Sequence, residues 1–145
     1  MFVLAGLVSL VHPFGAVRAV SSATPLFAGA TMETPVRDIV TKACRNCHSE
    51  QTEWPVYSYV APVSWMIEKD VSDARSQMNL SHWKEYDTEK RRELLSAIAS
   101  MVRNHRMPPQ RYLLLHPEAR LSHAEAELLY QWARSERKRL RSDAD

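Results

Sequence analysis

The two cysteines of this chain, Cys44 and Cys47, stand three positions apart, and His48 follows directly. Thiols at that spacing can add across the two vinyl groups of one porphyrin edge while the adjacent imidazole reaches the iron. Cys44-Arg45-Asn46-Cys47-His48 is therefore read as a c-type haem attachment site. A disulfide between them would close too small a loop to restrain the unfolded chain. A dithiol redox centre would want a strand–turn–helix setting, which the flanking sequence does not suggest. Zinc would want a fourth ligand, for which His82, His105, His116 and His123 are the candidates.

Iron held on one side by His48 takes a second ligand if the task is electron transfer, whereas an open position suits gas binding or activation. Met107 is the leading candidate: it lies off any helical stripe, just before Pro108-Pro109, in a stretch that proline stiffens. A thioether is a soft donor, and a His/Met pair raises the reduction potential. His105 is the rival, and His82 and His116 read as loop or capping residues. Met66, Met78 and Met101 fall on helical stripes and read as core. Trp54, Tyr57, Tyr59 and Trp65 crowd within twelve residues, 54–65, soon after the motif. Trp54, Tyr57 and Trp65 are candidates to line the haem or bond its propionates, against an ordinary place in the core.

The elements that must position these residues read as helices. After residue 30 no stretch alternates apolar and polar side chains long enough for a sheet. Thr34-Pro35 marks a helix start, and Val36, Ile39, Val40 and Ala43 lead a stripe into Cys44. Pro62 opens a second helix with Val63, Met66, Ile67, Val71, Ala74 and Met78 on one side. Residues 79–87 read as a loop carrying Trp83, and a third helix from about Thr88 turns Leu94, Leu95, Ile98, Met101 and Val102 inward. Ser122 with Glu125 forms a capping box for a last helix, with Leu121 stapled to Ala126 and Leu128, Leu129 and Trp132 buried. Past Arg134 the residues are mostly charged, which reads as a frayed end.

Composition sets the outer limits. Apolar residues make up 45% and charged residues 25%, and 145 residues suit one domain. A net charge of +2 is too near neutral for a nucleic-acid binder working by phosphate neutralisation. Residues 1–11 are apolar and uncharged, the right length for the hydrophobic region of a secretory signal and short of a bilayer span. Ala19, Ala23 and Ala28-Gly29-Ala30 offer small residues for a cleavage site, and retention as an anchor is the alternative. Three segments are expected: a signal or anchor over 1–30, a haem-binding domain over 31–136 and a charged flexible tail over 137–145.

The segments CRNCHSEQTEWPVYSYVAPVSW, NLSHW, MPPQRY and HPEARLS, in that order, resemble the small haem-binding domain family of bacterial c-type cytochromes. The resemblance implies covalent haem on Cys44 and Cys47, His48 as proximal ligand, Met107 in a methionine–proline motif, and an exported, often N-terminally anchored protein. The chain departs from the family pattern at Asp70-Val71, where His-Val is usual, and at Ala74-Arg75, where Gly-Arg is usual. Leu80 stands for Phe and Val56 for Trp. Asp70 removes one candidate histidine ligand. The order of parts also resembles the class I cytochrome c arrangement.

The expectation is an all-α, class I cytochrome c-like domain around one covalent haem c. It would carry single electrons in the periplasm to redox protein partners, without enzymatic activity and as a monomer. No nucleic acid is expected as partner, and membrane association would come through the N-terminal segment. The alternative is a haem sensor or peroxidase-like enzyme with an open or displaceable sixth position.

Overall fold

The computed structural model describes residues 10–15 and 24–143, and every regular element among them is helical. The expected all-α class is what the chain adopts. The helices are α1 (Thr34–Ala43), a single turn α2 (Arg45–His48), α3 (Val63–Gln77), α4 (Thr88–Arg103), the short α5 (Gln110–Leu113) and α6 (His123–Ser142). Tighter 3-10 turns at Val56–Tyr59, Leu80–Glu85 and Pro117–Ala119 fill the connections. Of the expected leader, residues 1–9 of the apolar run and the small residues Ala19 and Ala23 lie outside the described residues.

Local chemistry explains the starts. The Asp87 carboxylate accepts the Lys90 N–H at 2.7 Å and caps α4. The Ser122 hydroxyl accepts the Glu125 N–H, and the Glu125 carboxylate accepts the Ser122 N–H at 2.8 Å, so the expected capping box opens α6. Glu33, not Thr34, occupies the cap of α1, with Pro35 in its first turn; it makes no side-chain cap bond.

The main helix pair is α4 on α6. Leu94, Leu95, Ala99 and Val102 meet Leu129, Trp132, Ala133 and Leu140 there, and Val36, Ile39 and Val40 of α1 complete the core. Trp83, expected in a loop, is wholly buried in a 3-10 turn.

Two expected boundaries are corrected. Residues 24–30 belong to the folded domain. The Phe27 ring sits 4.6 Å from Trp83 and 5.0 Å from Trp132, edge-on to both, and its N–H donates to the Leu80 carbonyl. One aromatic residue among small and apolar neighbours is enough to tie this segment to the core. The expected tail over 137–145 is instead helical to Ser142, and Leu140 is only 5% exposed. Leu129, Ala133, Glu136 and Leu140 follow one helical stripe, and charge density alone hid it. Glu136, buried on that stripe, accepts two bonds from Arg139, at 2.6 and 2.8 Å. Leu128, expected inside, lies off the stripe and is exposed.

Candidate functional site

A cavity of about 550 Å³, within the range of cofactor sites, opens between the C-terminal end of α1, α2, α3, the inner side of α4 and the segment from Met107 to His116. Cys44, Cys47 and His48 are on its wall, as are Met107, Trp54 and Tyr57. So six of the residues singled out from the sequence come together. Its apolar wall draws on Val63, Ile67 and Val71 of α3 and on Leu94, Ile98 and Met101 of α4. The stripes read as core-facing therefore divide, and much of α3 faces a space rather than a neighbouring helix. Met66, expected in the core, is exposed at the cavity's edge.

Helix α1 ends because Cys44 leaves helical geometry at φ −120°, and the next turn carries Cys47 and His48. The loop after His48 is pinned from several sides. Arg75 of α3 donates to the Ser49 carbonyl at 2.9 Å and to the Thr52 hydroxyl at 3.0 Å, and pairs with Glu50 at 3.2 Å. Thr52 in turn donates to the Asn46 carbonyl at 2.6 Å, and Ser49 donates to the Arg45 carbonyl at 2.7 Å. The arginine after Ala74 thus has a definite task, holding the loop that follows His48 against α3.

His48 Nδ1 lies 3.1 Å from the Met78 carbonyl, which can only accept, so this nitrogen carries the proton and Nε2 keeps its lone pair. Burial lowers the His48 pKa, partly opposed by the carbonyls of Met78 and Ala74, which favours the neutral ring. Burial pushes the Cys44 thiol up to about 12, with Cys47 adding to the rise. Burial pushes Cys47 up to about 11, with Asp70 raising it and Arg75 and Arg111 opposing. Neither is a thiolate at neutral pH, the reverse of what a dithiol redox centre uses. Among the described residues no cluster of three His, Cys, Asp or Glu side chains could hold a metal ion, which leaves the zinc reading without a ligand set.

The other candidates separate clearly. His105 is exposed and off the cavity wall. His82 pairs with Glu85 at 2.9 Å, also away from it. Trp65 is corrected: it does not line the cavity, and its indole N–H donates to the Val11 carbonyl at 2.7 Å. Helix geometry is the reason. With Val63, Ile67, Val71 and Ala74 facing the cavity, Trp65 and Glu68 fall on another side of α3, where residues 10–15 lie and His12 Nδ1 meets Glu68 at 2.7 Å.

Sequence reasoning missed a polar cluster on the same wall. His116 places Nε2 2.6 Å from the Tyr57 hydroxyl and Nδ1 3.0 Å from Glu118, and its ring stacks on Tyr112 at 4.4 Å. Tyr112 accepts from the Asn46 amide, inside the attachment motif, at 3.2 Å. Both ring nitrogens of His116 are thus engaged. The four-residue spacing of Tyr112 and His116 was the available signal.

The described residues form an all-α domain with an open, largely apolar cavity that carries two protonated thiols and a neutral imidazole on its wall. The family model of the haem-binding domain matches residues 3–135, and the chain belongs to that family. No curated protein and no solved structure matches the chain. Membership of that family makes haem the cofactor of this chain.

Proposed function

We propose that the protein is a monohaem c-type cytochrome that passes single electrons between redox proteins in the periplasm. The observation that carries this reading is the joint placement of Cys44, Cys47, His48 and Met107 on one cavity wall, with the His48 proton committed to Met78. Bound haem supplies a one-electron couple at its iron. Cys44 and Cys47 would hold the porphyrin, their thiols standing on the wall where its vinyl groups could be reached. His48 would offer Nε2 to the iron, its ring orientation set by the Met78 carbonyl. Met107 would offer its thioether as a second ligand, and the apolar side chains of α3 and α4 would exclude water, both of which raise the potential. Trp54 and Tyr57 stand at the wall as partners for the ring and its propionates.

A second reading, a sensor or peroxidase-like enzyme, rests on one observation: Met107 is 40% exposed, and a partly solvated ligand is easier to displace. Absorption spectra of protein made with c-type maturation separate the two. A low-spin ferric spectrum with a methionine–iron charge-transfer band, lost in Met107→Ala, and little response of the ferrous form to carbon monoxide, are expected for the carrier. Ready gas binding by the unaltered protein would favour the sensor or enzyme, and a Met107→Ala spectrum unchanged from the parent would remove Met107 from the ligand pair.

A further inference from the structure

Met107 stands at the start of a short run whose parts are tied to one another. Before it, the Arg106 N–H donates to the Met101 carbonyl at 2.9 Å, at the end of α4. After it, the Tyr112 N–H donates to the Pro109 carbonyl and the His116 N–H to the Tyr112 carbonyl, both at 3.0 Å. Only Pro108 lies between Met107 and this bonded run, and proline fixes its own φ. Residues 109–116 therefore act as one unit, and a tilt of that unit moves Met107.

Pro108 and Leu113 are buried and anchor the unit by apolar contact, whereas Leu114 and Leu115 are exposed. Three polar contacts fix its angle, each to a different element of the cavity wall. Arg111 meets Asp70 of α3 at 2.6 Å, but with side chains 67% and 41% exposed this pair is weakened by solvent. The Asn46 amide of α2 donates to the Tyr112 hydroxyl at 3.2 Å, a long bond. The third joins the Tyr57 hydroxyl to His116 Nε2 at 2.6 Å, with the His116 side chain only 20% exposed.

The direction of this third bond is settled. The Glu118 carboxylate, 3.0 Å from Nδ1, can only accept, so Nδ1 carries the ring proton and Nε2 accepts from the Tyr57 phenol. Burial raises the Tyr57 pKa and Glu118 adds to the rise, so the phenol keeps the proton it donates. Tyr112, stacked on His116 at 4.4 Å, holds the imidazole against the unit it belongs to.

We infer that Tyr57 and His116 are positioning residues for Met107: their bond fixes the angle of the 109–116 unit and so how firmly Met107 stays on the iron. This rests on the electron-carrier reading and deepens it, since it names what keeps the sixth position from being displaced. Both side chains act through the chain rather than at the iron.

The haem-loaded full chain tests it, with Tyr57→Phe, His116→Ala, His116→Gln and the double variant Tyr57→Phe/His116→Ala. The readouts are carbon monoxide association with the ferrous form and the methionine–iron band of the ferric form. Tyr57→Phe and His116→Ala should each speed association by about five- to tenfold, the worth of one hydrogen bond, and weaken the band. His116→Gln still offers an acceptor to Tyr57 and should return most of both signals. The double variant should be no faster than either single one, because both remove the same bond. Additive effects would overturn the inference and have Tyr57 act on the cofactor by itself. Parental rates and band in both single variants would overturn it outright.

In haem-free protein, hydrogen exchange over 110–116 should quicken in Tyr57→Phe while α4 and α6 exchange as in the parent. Unchanged exchange over 110–116, or quickening throughout the chain, would also overturn the inference, the latter in favour of a purely structural role. A parent without the methionine–iron band would sink the Met107 ligand reading instead, and exchange over 110–116 then still decides whether the bond holds the unit.

Discussion

Between α4 and α6 the protein fills its apolar volume from within. Leu95, Leu129 and Ala133 are closed to solvent, and Phe27 plugs the space between Trp83 and Trp132 from a distant part of the chain. Around Cys44 and Cys47 the apolar volume is left open, and the wall of α3 and α4 side chains has nothing of the protein's own to meet. Both regions draw on the same residue types and even on the same helix, since α4 turns Leu95 and Ala99 to one and Ile98 and Met101 to the other. What separates them is which partners converge. The difference teaches that helical periodicity identifies a face to be covered and leaves open whether protein or cofactor covers it.

The comparison is easiest to break in the filled region. Trp83→Ala removes the largest fully buried side chain and should lower stability by about 3–5 kcal/mol in denaturant titration. A loss near zero would mean the fold is supported elsewhere. Leu140→Ala should follow at about 2–4 kcal/mol, whereas a frayed terminus would give less than about 0.5 kcal/mol.

These two cases also mark how far the sequence could be read. The caps of α4 and α6 were legible because a side chain and a backbone N–H a few residues apart settle them locally. That Cys44, Cys47 and His48 share one wall was legible because they are adjacent in the chain. Phe27 and Leu140 were not, for their burial depends on neighbours far along the chain, and local composition pointed to a leader and a solvated tail. Trp65 failed for a subtler reason. Closeness in sequence to Tyr57 and the motif suggested a shared site, but a helix distributes neighbours around its axis, and the register of α3 turns Trp65 toward Val11. The Tyr57–His116–Tyr112 cluster joins segments that no local pattern connects.

The open region sharpens the contrast with smaller effects. In haem-free protein, Met107→Ala should change stability by less than about 1 kcal/mol, because a half-exposed side chain at a cavity edge leaves no sealed void behind. A loss comparable to Leu140→Ala would mean Met107 is a core residue. The smallest effect lies on the surface of the filled region. Lys42 and Ser122 hold the Glu125 carboxyl well below its ordinary 4.5, at about 2. A depressed carboxyl stabilises the fold in full above its ordinary pKa of 4.5, and that contribution fades as pH falls toward about 2. Urea midpoints measured across this window should fall less steeply for Glu125→Gln than for the parent; identical slopes would mean the contact with Lys42 has no net effect.

The aromatic trio also sets an order of events. Phe27 and Trp83 cannot complete their packing until Trp132 arrives, and Trp132 lies on the last of these helices to be synthesised. Cys44, Cys47 and His48 emerge long before it. These three residues therefore stand on an unclosed chain for most of the time the protein takes to be made. The arrival of α6 is what ends that interval.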